Sequence, residues 1–416
     1  MRSQPAPRTA AIALALALAT MPFARADDAP PVEPRQGESH EAVDLSVTLT
    51  GVVQRVDAAG AADGKASTRA TYRGDVTVTL PAGSWGDVEG KIFTHVRFGD
   101  GDGVALRPTY SSTPNTTAFG GAGSSDAHVI VAQAWYQSTA TLPDGGSASG
   151  SHRRLEFTLG KMDAFAFFDQ NAAADDETLR FLNNAFVHNP LLDSGGDTAA
   201  DEDGFAPGVR FAYVDERDEA NAWAVSLAAF GAGPGADFHG SLDGPFVIGQ
   251  IETTRRVVAG LPGTYRAYAW TNGRTVDFGG GFQRHAGLGI SIDQRIAEAI
   301  TLWTRAGKEL DGSVRFDRAL TFGVQVDGSP WRRATDSIGL AAGFLRTSNA
   351  YRNATADGTL VGYAATGTER IVELYYRWHV DDHLELTPDA QWMQRPGGDA
   401  TAPGVFVGGI RARVAF

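Results

Sequence analysis

Charged and aromatic side chains recur in this chain at spacings that an extended backbone turns to one side. Glu89, Lys91, His95 and Arg97 lie two or four residues apart, as do Arg266 and Trp270, and Glu373 and Arg377. At a period of two, each set projects from a single face of a strand. Opposed Arg and Glu present several hydrogen-bond donors and acceptors while their charges cancel, and an indole adds an apolar face. That mixture suits a neutral, hydroxyl-rich solute. Taken singly, each residue reads more simply as one rung of a cross-strand ion-pair ladder; as a set they form the candidate site.

Other chemistries find less support. Asp381-Asp382-His383 brings acids beside a histidine, but in a three-residue polar turn. Neither a G-x-S-x-G elbow nor an H-E-x-x-H pair occurs, so no catalytic residues and no enzymatic activity are expected. The chain has no cysteine, which excludes disulfides, thiolate metal sites and a cysteine nucleophile. Two acidic stretches, Asp197, Asp201, Asp203 with Gly204, and Asp100-Gly101-Asp102-Gly103, carry oxygen ligands. Neither fits a twelve-residue calcium loop, and Asp-Gly pairs commonly mark tight turns. No metal or other cofactor is expected. The formal charge of −13 argues against nucleic acid as a partner.

The elements that position these residues read as strands. Near the start, Arg2 and Arg8 precede an apolar run, Ala10 to Ala19, and Ala24-Arg25-Ala26 supplies a cleavage site. This is the pattern of a secretory signal peptide over 1–26, because about ten apolar residues fall short of the ~20 that a helical span needs. Residues 27–42, with three prolines, read as a flexible periplasmic lead-in to a domain over 43–416. From there dyad segments follow one another: Leu45, Val47, Leu49; Val76, Val78, Leu80; Ile92, Val96, Phe98; Leu155, Phe157, Leu159; Val209, Phe211, Tyr213; Leu288, Ile290, Ile292; Leu320, Phe322, Val324, Val326; and Val372, Leu374, Tyr376, Trp378. The chain closes on Phe406, Ile410, Ala412, Val414 and Phe416, with Arg411 and Arg413 on the opposite parity. Segments 127–140 and 246–258 show no clean parity.

Connections alternate between long ones, such as 100–126, 164–206 and 348–366, and short ones, such as 81–87, 259–263 and 381–383. Such alternation, with strands about ten residues long, predicts an all-β transmembrane antiparallel barrel in an outer membrane. The parse counts sixteen strands. A lipid-facing Arg at the bilayer centre costs ~2–4 kcal/mol, so Glu89, Lys91, His95, Arg97, Arg266, Glu373, Arg377, Arg305, Arg411 and Arg413 face the lumen. In the longest loop, 175–187 reads as a helix that Asp175 or Asp176 caps. With Glu177, Phe181, Asn183, Asn184 and Phe186, it is expected to fold inward and narrow the barrel, since its apolar stripe needs a surface to bury against.

Several stretches carry a family resemblance. Leu155-Glu156-Phe157-Thr158-Leu159-Gly160-Lys161-Met162-Asp163 leads to Asp175-Asp176-Glu177-Thr178 and then to Phe181-Leu182-Asn183-Asn184-Ala185-Phe186 with Asn189-Pro190. Tyr268-Ala269-Trp270-Thr271-Asn272-Gly273-Arg274, Phe316-Asp317-Arg318-Ala319-Leu320, and Leu384-Glu385-Leu386-Thr387-Pro388-Asp389-Ala390-Gln391-Trp392 follow in order. Over roughly 155–416 the chain resembles the carbohydrate-selective porins (OprB-like). The resemblance implies a sixteen-stranded porin of the Gram-negative outer membrane that passes glucose and similar sugars. Small sugars, membrane lipid and lipopolysaccharide are the expected partners, with a homo-trimer as one assembly. A general or anion-preferring porin is the alternative.

Overall fold

In the computed structural model, residues 43–110, 113–120, 127–143, 152–231 and 243–416 are described; the signal-peptide and lead-in segments lie outside them. Alternating sequences pair edge to edge in chain order, each strand antiparallel to the next. The strands are β1 (Asp44–Val56), β2 (Ser67–Trp85), β3 (Val88–Asp100), β4 (His128–Leu142), β5 (Arg153–Met162), β6 (Ala206–Asp215), β7 (Trp223–Phe230) and β8 (Phe246–Val258). There follow β9 (Leu261–Val276), β10 (Phe282–Ala297), β11 (Ile300–Asp311), β12 (Phe316–Asp327), β13 (Ser337–Thr347), β14 (Thr368–His379), β15 (Leu384–Gln394) and β16 (Val405–Ala415). β16 pairs with β1 from Thr48↔Ala415 to Val56↔Val407, which closes the sheet. The terminal Phe416 completes the seam: its N–H donates to Val47 O at 2.9 Å, and Val47 N–H donates to Phe416 O at 3.3 Å. Closure leaves no strand edge unpaired, as a bilayer requires.

The two faces have opposite chemistry. Leu155, Phe211, Leu227, Ile251, Leu288, Leu320, Leu374 and Ile410 are exposed on the outer wall, whereas Arg305, Glu373 and Arg411 are buried within. This inverts the usual soluble pattern and matches lipid outside and a polar lumen inside. The two ambiguous segments have physical explanations. In β4 the register slips beside Ala132, so outward positions change from Val129 and Val131 to Ala134 and Tyr136; a bulge inserts one residue and flips parity. In β8 the inward Phe246 and Ile248 are buried in the apolar cluster beneath the long loop, so both faces are apolar.

The inner wall is graded to receive that loop. A Cβ at Gly287 would lie 2.2 Å from the Trp270 ring, and one at Gly289 would lie 2.1 Å from the Tyr268 ring. The absent side chains on β10 let these two aromatics of β9 lie along the wall and reach inward.

The predicted helix over 175–187 is a correction. Only Asn184–Val187 is helical (α1), so Asp175, Glu177, Phe181 and Asn183 precede it. The first half is a turn in which Asp176 O accepts from Arg180 N at 2.7 Å. The amides of Leu182 and Asn183 then donate to the Glu373 carboxylate instead of to carbonyls one turn back. Wall contacts outcompete helix propensity, and Asn183 starts α1 by accepting from Ala185 N at 3.0 Å. A second short helix, α2 (Asn349–Ala354), lies in the loop between β13 and β14.

Candidate functional site: a constriction built by an infolded loop

The loop between β5 and β6, residues 163–205, folds into the lumen, and inward side chains around most of the wall grip its backbone. Buried Arg305 of β11 supplies the central grip. Its Nη2 donates to Asp169 O at 2.9 Å, its Nη1 donates to Phe186 O at 3.0 Å and to Ala174 O, and its Nε lies 3.1 Å from Asp169 Oδ1. Tyr268 Oη donates to Asp169 at 2.6 Å. On β8, Gln250 accepts from Asp169 N at 2.9 Å. On β16, Arg411 Nη1 donates to Glu177 O at 2.8 Å and to Arg180 O at 2.7 Å. Between these struts Phe181 and Phe186 pack on Trp303 and on each other, and Phe181 meets Tyr375 edge-on. Loop carbonyls and amides that would otherwise be orphaned are thus satisfied by the wall. The β3–β4 loop joins in: Pro114 O accepts from Gln54 and Gln391, and Thr116 N donates to Leu182 O.

Where the loop meets β2 and β3, it completes a cluster of charges. Asp75 accepts from Arg73 Nε at 2.9 Å and from Arg97 Nε at 2.8 Å, and His95 Nε2 lies 2.8 Å from it. Arg73 Nη1 reaches across to Glu177 Oε1 of the loop at 2.7 Å. The Arg97 guanidinium stands 5.2 Å from the Phe205 ring and 5.9 Å from the Phe119 ring, within cation–π range. A second ladder runs along β5 and β6, where Arg154 and Arg210 both donate to Glu156, at 2.8 and 2.9 Å, and the Arg210 guanidinium lies 4.9 Å from the Phe167 ring.

Burial alone would push the Glu177 carboxyl up, but the guanidiniums of Arg73 and Arg97 outweigh it and hold the carboxyl below its usual range. A carboxylate with lowered proton affinity in the folded state stabilises the fold above its unfolded range and gives that stability up as pH falls. The stability difference between the wild type and Glu177→Gln is therefore expected to stay constant from pH 7 to about 4.5 and to shrink below that. Urea or thermal titrations of both proteins at stepped pH would measure it; a difference that shrinks already between pH 7 and 5 would contradict it.

The sequence-derived residues divide into four groups. His95, Arg97 and Glu177 come together in the charge cluster. Trp270 and Glu373 serve as struts: both are buried, with Trp270 Nε1 donating to Asp197 Oδ2 at 2.7 Å and Glu373 holding the loop amides. The loop residues Asp175, Phe181, Asn183, Asn184 and Phe186 pack against the wall, with Asp175 3.5 Å from Arg305. Glu89, Lys91, Arg266 and Arg377 lie apart from the cluster. Glu89 is exposed beside the short β2–β3 turn, and Lys91 lies 5.7 Å from the Trp135 ring. Arg266 bridges Glu252 and Asp293. Arg377 is 3.7 Å from Glu385, near the short turn that follows β14. Sequence reading missed Arg73 and Asp75 as a pair. Their spacing of two on an otherwise Thr-rich inward face was the available signal.

The trio Asp381-Asp382-His383 is an exposed turn between β14 and β15: Asp381 Oδ1 accepts from His383 N and Leu384 N, both at 2.9 Å. Asp201 likewise closes its own loop, accepting from Asp203 N at 3.0 Å and Phe205 N at 2.9 Å.

Among solved structures, OprB of Pseudomonas putida at high pH shares the fold, with a TM-score of 0.69 and 18% identity over 90% of this chain and 94% of that one. The outer membrane channel DcaP of Acinetobacter baumannii has a TM-score of 0.54 at 12% identity, over 90% and 97% of the two chains. An anion-selective porin from Comamonas acidovorans also has a TM-score of 0.54, at 11% identity, over 90% and 99%. No curated protein sequence matches the chain. The family model of the carbohydrate-selective porins, OprB family, matches residues 97–416, and with a closed sixteen-stranded barrel around an infolded loop, the chain belongs to that family of outer-membrane porins.

Proposed function

We propose that this porin passes neutral carbohydrates in preference to ions. The carrying observation is the cluster of Arg73, Asp75, His95, Arg97 and Glu177, in which guanidiniums are matched by carboxylates and flanked by the rings of Phe119 and Phe205. Paired charges offer donors and acceptors to hydroxyl groups with little net field, and the buried rings of Phe119 and Phe205 hold the Arg97 guanidinium in place. Weak binding at one narrow place lets the solute leave again. The family's description supports the same reading. The second reading is an anion-preferring pore, as described for the Comamonas protein. The many inward arginines favour it, but Arg154, Arg210 and Arg266 each face carboxylates.

In this reading the long loops face the exterior and the chain termini face the periplasm. The 1–26 segment is removed on export, and Asp381-Asp382-His383 is a periplasmic turn with no catalytic part. Homo-trimers and lipopolysaccharide contacts remain proposals of the same kind.

Liposome swelling tests the function, with a monosaccharide, a disaccharide and a charged amino acid of similar size as solutes. Faster sugar uptake than size dictates, reduced in Arg97→Ala, supports sugar passage. Uptake ordered by size alone indicates a general porin, and a reversal potential strongly favouring chloride indicates an anion pore.

A further inference from the structure

We propose that Asp197, His285 and Glu309 form a binding site for a divalent transition-metal ion of the Zn2+ class, which fastens the end of the infolded loop to β10 and β11. One potential ligand atom from each residue lies within 4.8 Å of the others. Exposures are 0% for Asp197, 1% for His285 and 8% for Glu309. His285 Nδ1 is 2.6 Å from Asp197 Oδ1, while His285 Nε2 and Glu309 Oε2 are buried without a hydrogen-bond partner. Among the described residues, no Lys or Arg pairs with either carboxylate. Two buried carboxylates without a cation are costly, and a divalent ion neutralises both.

The surroundings fit a coordination site. Trp270 Nε1 donates to Asp197 Oδ2 at 2.7 Å, Asn272 Nδ2 donates to Asp197 O at 2.8 Å, and Ala286 N donates to Glu309 Oε1 at 3.1 Å. Such outer contacts orient ligating groups and fix their charge. A cavity of about 230 Å3, lined by Gly195, Asp277, His285, Ser313 and Arg315, reaches the site at His285. Arg315 lines it but donates to Ser194 O at 3.2 Å. One imidazole nitrogen with two carboxylates selects zinc-like ions, whereas calcium and magnesium prefer larger all-oxygen shells. Ligation requires a ring nitrogen and both carboxylates free of protons, so affinity falls as pH is lowered.

The test uses mature protein without a polyhistidine tag, stripped with EDTA. Zn2+ is titrated by calorimetry and Co2+ by visible absorption. One ion per chain is expected, bound more weakly at pH 5.5 than at pH 7.5. Asp197→Asn, His285→Gln and the near-isosteric Glu309→Gln should each weaken binding by at least about tenfold, while His383→Gln, in the exposed turn, leaves it unchanged. Heat-modifiable mobility on gels verifies a folded barrel in every variant. No binding by folded wild type overturns the site, and so does binding that all three variants retain. Calcium binding in place of zinc and cobalt overturns the assigned metal class.

Discussion

Replacing Arg305 with methionine is expected to release the infolded loop and raise single-channel conductance several-fold while the barrel wall stays closed. Arg305 has no exposed surface. It binds the Asp169 carboxylate and the carbonyls of Asp169, Ala174 and Phe186. Methionine fills much of the volume but offers no donor. It leaves three carbonyls and one carboxylate without their central partner, and breaking a buried pair in this way costs about 3–5 kcal/mol. The loss falls on the loop, because the backbone ladders from β10 to β11 and from β11 to β12 do not involve the side chain. Arg305→Lys should rescue poorly, since a single ammonium cannot reproduce the planar fork that spans separate carbonyls. Planar-bilayer recordings of both variants provide the measurement. Unchanged conductance in Arg305→Met would show that Tyr268, Gln250 and Glu373 hold the loop without it.

The second large effect is on ion selectivity. Asp75→Asn keeps the shape of the side chain but removes the charge that faces Arg73, His95 and Arg97. At about 4 Å and an effective dielectric near 20, one such pair is worth ~4 kcal/mol before solvation is counted. Removing it leaves two guanidiniums against Glu177 alone. The pore should then favour chloride over potassium by several-fold, read as a shift of reversal potential across a KCl gradient. The shift should be larger in dilute salt, because the Debye length is ~10 Å at 0.1 M. An unchanged reversal potential in a folded variant would place the constriction elsewhere in the lumen.

Particular elements show how far the sequence could be read. Segment 370–378 was readable because Val372 and Leu374 must meet lipid if Glu373 and Arg377 are to avoid it, and both are exposed outward. Segment 127–140 was not readable, because the bulge at Ala132 flips its parity. Residues 175–187 look helical by local spacing, yet Glu373, almost two hundred positions away, takes the amides a helix would need.

The sequence alone determined the barrel, its strand number and which parity faces lipid, because the cost of charge in hydrocarbon acts on each residue separately. Tertiary structure alone decided which inward charges meet. Inward charges recur on strand after strand, and only the path of the loop selects Glu177 for Arg73, Asp169 for Arg305 and Asp197 for His285. Such pairings depend on register and height around a closed wall, and no local pattern records either.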